Sequence, residues 1–195
     1  MTRDEVLSVF KQSRALLEGH FRLTSGLHSP QYFQCAKVLQ YPKYVETLCG
    51  EIARKFRDTQ VDAVVAPALG GIVVGQEVGR QLNVRAMFTE RKDGAMQLRR
   101  GFEIARGERV LVCEDVITTG GSVQEVGDIV EQCGGVVVGV GAIVDRSGGK
   151  VTLPNLFTTL QMDVVIYKPE ECPLCRQGIR VEKPGSRSSA MENGK

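Results

Sequence analysis

The stretch that decides the fold is RVLVCEDVITTGGSVQEV, residues 109–126. A run of apolar residues leads into two adjacent carboxylates, Glu114 and Asp115, and then into a loop of threonines, glycines and a serine. The apolar spacing that follows predicts a helix from about Ser122 to Cys133. The stretch therefore predicts a buried strand with paired acids at its end, a loop of small residues and the start of a helix.

The same alternation of strand and helix continues on both sides of this stretch. Five segments have the apolar character of buried strands: VDAVVAPA (61–68), VRAMFTE (84–90), RVLVCED (109–115), VVVGVGAIVDR (136–146) and FTTLQMDVVIY (157–167). Strands that alternate with helices form parallel sheets that are covered on both faces. We therefore expect an α/β fold with a central, mostly parallel five-stranded sheet flanked by helices.

The N-terminal region carries different signals. Thr2 and Glu5 have the spacing of a capping box, and the apolar residues after them predict a helix that includes Leu17 and stops at Gly19. Turn residues fill much of the segment 21–35, which predicts a short strand only at its two adjacent aromatic residues.

The composition is typical of one globular domain. The chain has 195 residues, 42% hydrophobic and 25% charged, with a net charge of +2. This small charge predicts no nucleic-acid partner, and no apolar run is long enough to cross a membrane. Because no leader-like segment opens the chain, we expect a cytoplasmic protein. We predict a single domain over residues 1–183, with its core at about 60–167, and a disordered tail at 184–195.

The six cysteines favour reduced, packed thiols over disulfides, because most of them lie inside apolar patterns. CPLC (172–175) has the spacing of half a zinc site, whereas structural zinc takes four ligands. Packed thiols, a redox pair and a zinc site completed across a dimer are the alternatives for this pair. His20 and His28 are too isolated in the sequence to be predicted as ligands or bases.

The paired acids and the loop after them predict a ligand with both hydroxyls and a phosphate. Ligands of open α/β sheets bind beyond the carboxyl ends of the strands, where Glu114 and Asp115 are expected. The loop 116–122 enters a helix N-terminus, whose free N–H groups and dipole favour a phosphate. A ribose 5-phosphate fits both ends, with its hydroxyls on the acids. The alternative is an ordinary strand-to-helix turn, which would not need this combination of residues.

VLVCEDVITTGGS (110–122) resembles the phosphoribosyl pyrophosphate motif of type I phosphoribosyltransferases. The resemblance implies the fold of that family, with a small hood formed by about residues 1–40 and part of the C-terminal region. It also implies that the diphosphate donor is bound along the whole motif: Glu114, Asp115, Val116, Ile117, Thr118, Thr119, Gly120, Gly121 and Ser122.

Four further segments resemble orotate phosphoribosyltransferases. The implied reaction transfers the ribose 5-phosphate group from 5-phospho-α-D-ribose 1-diphosphate to orotate. Its products are orotidine 5-phosphate, a precursor of UMP in pyrimidine biosynthesis, and diphosphate. Two alternatives remain, one with the same donor and another base, and one without catalysis. One is a purine or xanthine phosphoribosyltransferase, and the other is a non-catalytic regulator with this fold, which would need a basic face or an added helix-turn-helix.

Two of these segments imply the contacts with orotate. LLEGHFRLTSGLHSPQYFQC resembles the hood that covers the pyrimidine, so Tyr32 and Phe33 would line the base. GAIVDR ends in Arg146, which would pair with the orotate carboxylate, as the planar fork of an arginine is suited to do. Thr118 matches a second orotate contact. Core filling by the aromatic pair and a surface role for the arginine are the alternatives.

The other two segments imply the contacts with diphosphate. APALGGI (66–72) resembles a diphosphate-binding loop, and ERKDGAMQLRRGF (90–102) a mobile catalytic loop. The catalytic residues implied are Asp115, Lys92 and Arg91. The cations of the second segment could instead belong to a solvated hairpin.

This chain departs from the family's pattern in both regions. Many members have a lysine where it has Thr24 in the hood and Gly70 in the diphosphate loop. Its mobile loop is a shorter variant that lacks a second lysine near Ala95. The resemblance further implies Mg²⁺ as cofactor, held mainly through the substrate with no firm protein ligand. It also implies a homodimer in which the loop of one subunit completes the neighbour's active site.

Overall fold

A six-stranded sheet forms the centre of the protein. The computed structural model describes residues 1–23, 25–163 and 165–184. In spatial order the strands are β5 (Ala95–Leu98), β4 (Arg85–Lys92), β3 (Ala63–Pro67), β6 (Arg109–Ile117), β7 (Val136–Asp145) and β8 (Leu156–Gln161). All neighbours are parallel except β5, which forms an antiparallel hairpin with β4. The predicted α/β fold with a mostly parallel sheet is confirmed, and β5 adds a short edge strand to the five expected.

Helices cover both faces of this sheet. Those that pack against it are α1 (Arg3–Gln12), α3 (Pro42–Phe56), α4 (Gly70–Leu82) and α5 (Gly121–Gln132), and two short helices, α2 (Ala36–Leu39) and α6 (Pro173–Arg176), lie elsewhere. Every residue of β3 is buried, because alternate side chains of a strand point to opposite faces and both faces are covered. Val64 and Ala66 join a core with α1, α3 and α4, whereas Ala63 and Val65 join a core with α5.

The N-terminal segment corrects the sequence prediction for its first helix. The capping box between Thr2 and Glu5 is present, but the helix ends at Gln12 rather than at Gly19. Leu17 lies instead in strand β1 (Leu16–Arg22), which pairs antiparallel with β2 (His28–Phe33). The apolar residues of β1 share a helical spacing by coincidence, and pairing with a partner strand overrides that weak local signal.

The two histidines are isolated in the sequence, but the hairpin β1–β2 brings them together. His20 and His28 are both buried, and Nε2 of His20 lies 2.8 Å from Nδ1 of His28. The C-terminal segment covers them, because Tyr167 and His28 exchange two backbone hydrogen bonds of 2.8 Å each. Glu182 donates its backbone N–H to the carbonyl of His20, also at 2.8 Å. The histidines are therefore neighbours at the junction between the hairpin and the C-terminal segment.

The C-terminal segment is less regular than predicted. The strand expected at 157–167 is the shorter β8, and a 3₁₀ turn at Pro169–Glu171 follows it. Of the predicted tail, residues 185–195 lie outside the described residues. Among the helices that the structure describes, none has the length and apolar character needed to cross a membrane.

Close packing between α3 and β7 gives a test of the fold. A Cβ atom at Gly141 in β7 would overlap Cγ2 of Ile52 in α3. We expect Gly141→Ala to lower the free energy of unfolding by about 1–3 kcal/mol, the usual cost of overpacking a core. Urea denaturation would measure it.

Gly127→Ala is the matched control, because a Cβ atom there meets Cγ2 of Val137 at an ordinary 3.8 Å. That substitution should raise the stability by about 0.4–1 kcal/mol, since alanine restricts the unfolded chain. Equal stability changes in the two variants would contradict the packing described.

Candidate active site

Two carboxylates lie against the start of α4, at the carboxyl edge of the sheet. Glu114 and Asp115 end the buried part of β6, and α4 begins beside them with Gly70 and Gly71. A Cβ atom at Gly70 would overlap the carboxylate of Asp115, and one at Gly71 would lie 3.1 Å from Oε1 of Glu114. The two glycines therefore allow the acids to approach the helix backbone. A side chain at Gly70, such as that of a lysine, would not fit this arrangement.

The acids are held by backbone hydrogen bonds within β6. The N–H of Asp115 donates to Oε1 of Glu114 at 3.0 Å, and the N–H of Val116 donates to Oδ1 of Asp115 at 2.9 Å. Burial, together with the neighbouring carboxylate of Asp115, raises the pKa of Glu114 well above its ordinary value. The site is therefore an acidic pair that a hydroxyl donor or a cation would stabilise.

The loop after the acids forms a cradle at the N-terminus of α5. Gly120 has a φ of 77°, in the left-handed region that favours glycine, and α5 begins at the next residue. A small cavity of about 40 Å³ is enclosed by the loop and the first turn of the helix. Its lining residues are Glu114, Val116, Ile117, Thr118, Thr119, Gly120, Gly121, Ser122 and Val123. A helix N-terminus with hydroxyl groups around it favours a phosphate, and the structure brings together every motif residue named above except Asp115.

A larger cavity of about 670 Å³ adjoins this cradle, since Thr118 and Thr119 line both. The hairpin β1–β2, the segment that follows β7 and the C-terminal segment form its other walls. Its lining residues are Leu23, Ser25, Leu27, Tyr32, Thr118, Thr119, Arg146, Ser147, Gly148, Lys150, Asp163 and Ile166. Three of the four residues predicted to contact the base therefore face one cavity: Tyr32, Thr118 and Arg146.

Arg146 carries a positive charge into this cavity. It follows β7, and its backbone N–H donates to the carbonyl of Ile117 at 2.8 Å. Its side-chain Nε is buried and has no hydrogen-bond partner among the described residues. Burial lowers the pKa of this guanidinium. Because a buried donor without a partner is costly, the side chain is suited to a ligand with an acidic, planar group.

Phe33 has a different place from the one predicted. It is buried, it packs edge-on against Phe10, and it does not line the cavity within the described residues. The guanidinium carbon of Arg146 lies 5.6 Å from the centre of its ring, the geometry of a cation–π contact. The ring of Phe33 therefore supports the guanidinium of Arg146. Tyr32, the preceding residue of the strand, faces the cavity.

The cationic segment is the β4–β5 hairpin. Arg91 pairs with Glu125 of α5 at 2.8 Å, and Glu90 binds Arg99 at 3.2 Å and Arg100 at 2.9 Å. These pairs are exposed, so each contributes little to stability. Among the described residues, Lys92 has no ion pair. The structure thus gives a solvated hairpin that stands at the carboxyl edge of the sheet.

Sequence reasoning missed two charged residues among those that line the large cavity. Lys150 and Asp163 lie on its wall, but each is a single charged residue in an irregular segment, without a spacing that would have indicated a site. Thr24, at the hood position where the family resemblance implies a lysine, lies outside the described residues.

The family model for the phosphoribosyl transferase domain matches residues 38–173 of this chain. The chain therefore belongs to the phosphoribosyl transferase family. Over 192 residues it is 60% identical to the orotate phosphoribosyltransferase of Chlorobaculum parvum, which covers 98% of this chain and 100% of that relative. The match extends over almost the whole length of both chains, and the relative is named for a single activity.

Solved structures of lower identity share the fold. The orotate phosphoribosyltransferase of Aeropyrum pernix has a TM-score of 0.68 at 22% identity, over 80% of this chain and 93% of its own. The adenine phosphoribosyltransferase of Rhodothermus marinus has a TM-score of 0.64 at 21% identity, over 82% and 99%. Because the fold is shared by enzymes named for different bases, it identifies the architecture and not the base.

The raised pKa of Glu114 predicts a gain of stability on removing its charge. In Glu114→Gln, an amide oxygen can still accept the N–H of Asp115. The wild-type charge costs stability once the pH exceeds the ordinary value of 4.5, and the cost grows as the pH approaches the raised pKa of the folded state. We expect the variant to be more stable than the wild type at pH 8 and to lose this advantage near pH 4.

Urea denaturation across this pH range would measure the difference. Glu125→Gln, which removes an exposed carboxylate from α5, is the control and should show little change. A Glu114→Gln variant with the same stability as the wild type at both pH values would mean that the acidic pair is not strained.

Proposed function

We infer that the protein is an orotate phosphoribosyltransferase, which transfers the ribose 5-phosphate group from 5-phospho-α-D-ribose 1-diphosphate to orotate. The observation that carries this inference is Arg146, which lines a cavity next to the phosphate cradle and whose buried Nε has no partner among the described residues. Orotate is a planar base with a carboxylate, which an arginine fork can bind. The high identity to a relative named for this activity supports the same base. We place the reaction in cytoplasmic pyrimidine nucleotide synthesis.

The cradle of loop 116–122 would hold the 5-phosphate of the donor. Its backbone N–H groups and the dipole of α5 favour an anion there. Glu114 and Asp115 would then accept hydrogen bonds from the ribose hydroxyls, which lie on the other side of the sugar. Both ends of the ribose are fixed in this way, and the anomeric carbon is directed towards the large cavity.

The acidic pair also fits Mg²⁺, the cofactor that we propose. Hard carboxylate oxygens are the ligands that this cation prefers, and a positive charge would relieve the repulsion that raises the pKa of Glu114. When bound with the donor, mainly through substrate oxygens, the cation would neutralise the diphosphate leaving group. Glu114 and Asp115 would hold the ribose from the protein's side.

The base would lie in the large cavity, with its carboxylate on Arg146. Tyr32 from the hairpin and Thr118 from the cradle would contact the ring from two sides. This places the acceptor nitrogen near the anomeric carbon. Such positioning, with charge stabilisation of an oxocarbenium-like transition state, accounts for catalysis without a covalent intermediate.

The β4–β5 hairpin would supply cations to the diphosphate. Arg91 is tied to Glu125 of its own chain, so Lys92 is the better of the two candidates for reaching outward. We propose that the hairpin acts on the active site of a second subunit in a homodimer. Closure of such a hairpin would also exclude water, which would otherwise hydrolyse the donor.

Loss of orotate absorbance in the presence of the diphosphate donor would test the activity directly. We expect turnover with orotate and none with adenine, xanthine or uracil, because uracil lacks the carboxylate and the purines do not match the cavity charge. Turnover with adenine or xanthine in place of orotate would contradict the proposed base.

Arg146→Ala should raise the apparent KM for orotate far more than the KM for the donor. Losing a desolvated charged contact costs about 2–4 kcal/mol, which corresponds to about 30- to 800-fold. Arg146→Lys, which keeps the charge without the fork, should recover part of the loss. Steady-state kinetics would measure both constants, and equal effects on the two substrates would point to a structural role of Arg146.

A shared active site predicts complementation between two inactive variants. Asp115→Asn removes an acid from the ribose site, and Arg91→Ala with Lys92→Ala removes the hairpin cations. Each variant alone should have little activity. If the hairpin acts in trans, each mixed dimer contains one intact site, so random subunit exchange should restore about a quarter of the wild-type activity.

Mass spectrometry would verify that the subunits have exchanged, and each variant mixed with itself is the control. Verified exchange with no recovered activity would mean that the hairpin acts within its own chain.

A further inference from the structure

Four side chains with metal-ligating atoms meet at a place that the transfer reaction does not use. They are His20 and His28 of the β1–β2 hairpin, and Cys172 and Cys175 of the segment around α6. One atom from each, Nε2, Nδ1 and the two Sγ atoms, lies within 4.8 Å of all the others. Three of the four residues are buried, and Cys175 opens to solvent.

Three nitrogen–sulfur distances in this cluster are close to those of a tetrahedral site. The Sγ atoms of Cys172 and Cys175 lie 3.5 Å and 3.7 Å from Nε2 of His20, and that of Cys175 lies 3.3 Å from Nδ1 of His28. Bonds of about 2.3 Å to sulfur and about 2.0 Å to nitrogen at tetrahedral angles place N and S about 3.5 Å apart. The two nitrogens, at 2.8 Å, would separate by about 0.5 Å around a metal.

A hydrogen bond outside the cluster fixes the chemistry of one ligand. Nδ1 of His20 lies 2.7 Å from the carbonyl oxygen of Ile179. Because a carbonyl only accepts, Nδ1 carries the proton, and Nε2 presents its lone pair to the other three side chains. Metal-binding histidines are typically oriented by such a contact. The structure therefore holds this imidazole in the tautomer that a metal requires.

We propose that His20, His28, Cys172 and Cys175 form a structural zinc site within one chain. Two imidazoles and two thiolates are a donor set that zinc takes in structural sites, and this set leaves no coordination position open for substrate. On binding, the two thiols release two protons, and the two thiolates balance the charge of Zn²⁺. The buried site is then neutral overall.

The site would join two distant parts of the chain. Its histidines belong to the hairpin that supplies Tyr32 to the large cavity, and its cysteines follow the segment that supplies Ile166 to the same cavity. Backbone hydrogen bonds link these parts only at Tyr167–His28 and around Glu182 among the described residues. Four metal bonds would add a rigid connection that closes a long loop of chain, which is where a cross-link stabilises most.

Metal analysis of the purified full chain would test the proposal. After expression with added zinc and removal of loosely bound ions, we expect about one zinc ion per chain. The metal-free protein should then take up Co²⁺ with the thiolate-to-metal absorption of a tetrahedral sulfur site. The binding measurement does not depend on transferase activity, so it stands apart from the proposed function.

Two serine variants separate this site from other cysteines. Cys175→Ser, at an exposed position, should weaken zinc binding by more than about tenfold, since even residues that only orient ligands have effects of that size. It should also lose most of the cobalt absorption. Cys133→Ser is the matched control, because Cys133 is exposed and stands apart from the cluster, and it should bind both metals like the wild type.

Thermal unfolding gives a second measurement. Chelation should lower the midpoint of the wild type and of Cys133→Ser, but should have much less effect on Cys175→Ser. Freshly reduced wild-type protein that takes up neither zinc nor cobalt would overturn the proposal. So would zinc binding of unchanged affinity in Cys175→Ser, or a chain purified two hydrogens lighter, as in a Cys172–Cys175 disulfide, that binds no metal after reduction.

Discussion

The part of the site proposed to bind the phosphoribosyl donor depends on one constraint, which is the close approach of two carboxylates to the start of α4. Glu114 and Asp115 reach the backbone of α4 only because Gly70 and Gly71 have no side chains to occupy that space. The arrangement is unfavourable by itself, since it buries one acid beside another and raises the pKa of Glu114. A ribose and a cation would relieve both effects. The protein thus gives up some folding stability at this site in favour of ligand binding, as active sites commonly do.

The parallel sheet explains how this constraint is met. The carboxyl ends of β3 and β6 lie side by side, so the loops that lead into α4 and α5 open at the same edge. One loop provides the glycines and the other provides the acids and the phosphate cradle.

The large cavity, which is the part of the site proposed to bind the base, is formed by less regular segments of the chain. Arg146 leaves the sheet at the end of β7, but the ring of Phe33 in the hairpin lies below its guanidinium, and Tyr32 faces the cavity beside it. The C-terminal segment closes the cavity and rests on the same hairpin through His28 and His20. The position of the hairpin therefore affects both Arg146 and Tyr32. Anything that fixes the hairpin to the C-terminal segment also fixes the shape of the base cavity.

The helices and parallel strands of the sheet could be predicted from the sequence because their signals are local. Apolar periodicity, the glycines of loop 116–122 and the capping box at Thr2 all act within a few residues of each other. The same locality explains why the residues of the loop at the start of α5 could be predicted to lie together, as they do around one small cavity. Local spacing misled where pairing with a neighbouring strand decided the structure, as in β1, where Leu17 had the spacing of a helix.

The contacts between distant segments were decided by the tertiary structure alone. Phe33 was expected to line the base and instead supports Arg146, since the face of a strand that points to the core depends on what covers it. His20 and His28 had no partner in the sequence, because their neighbours Cys172 and Cys175 lie about 150 residues away. Ligand types and a half-site spacing are visible in a sequence, but their meeting at one point is a property of the closed chain. The sequence by itself therefore determined the fold and the loop at the start of α5, because their signals are local, and the folded chain determined the large cavity and the histidine–cysteine cluster.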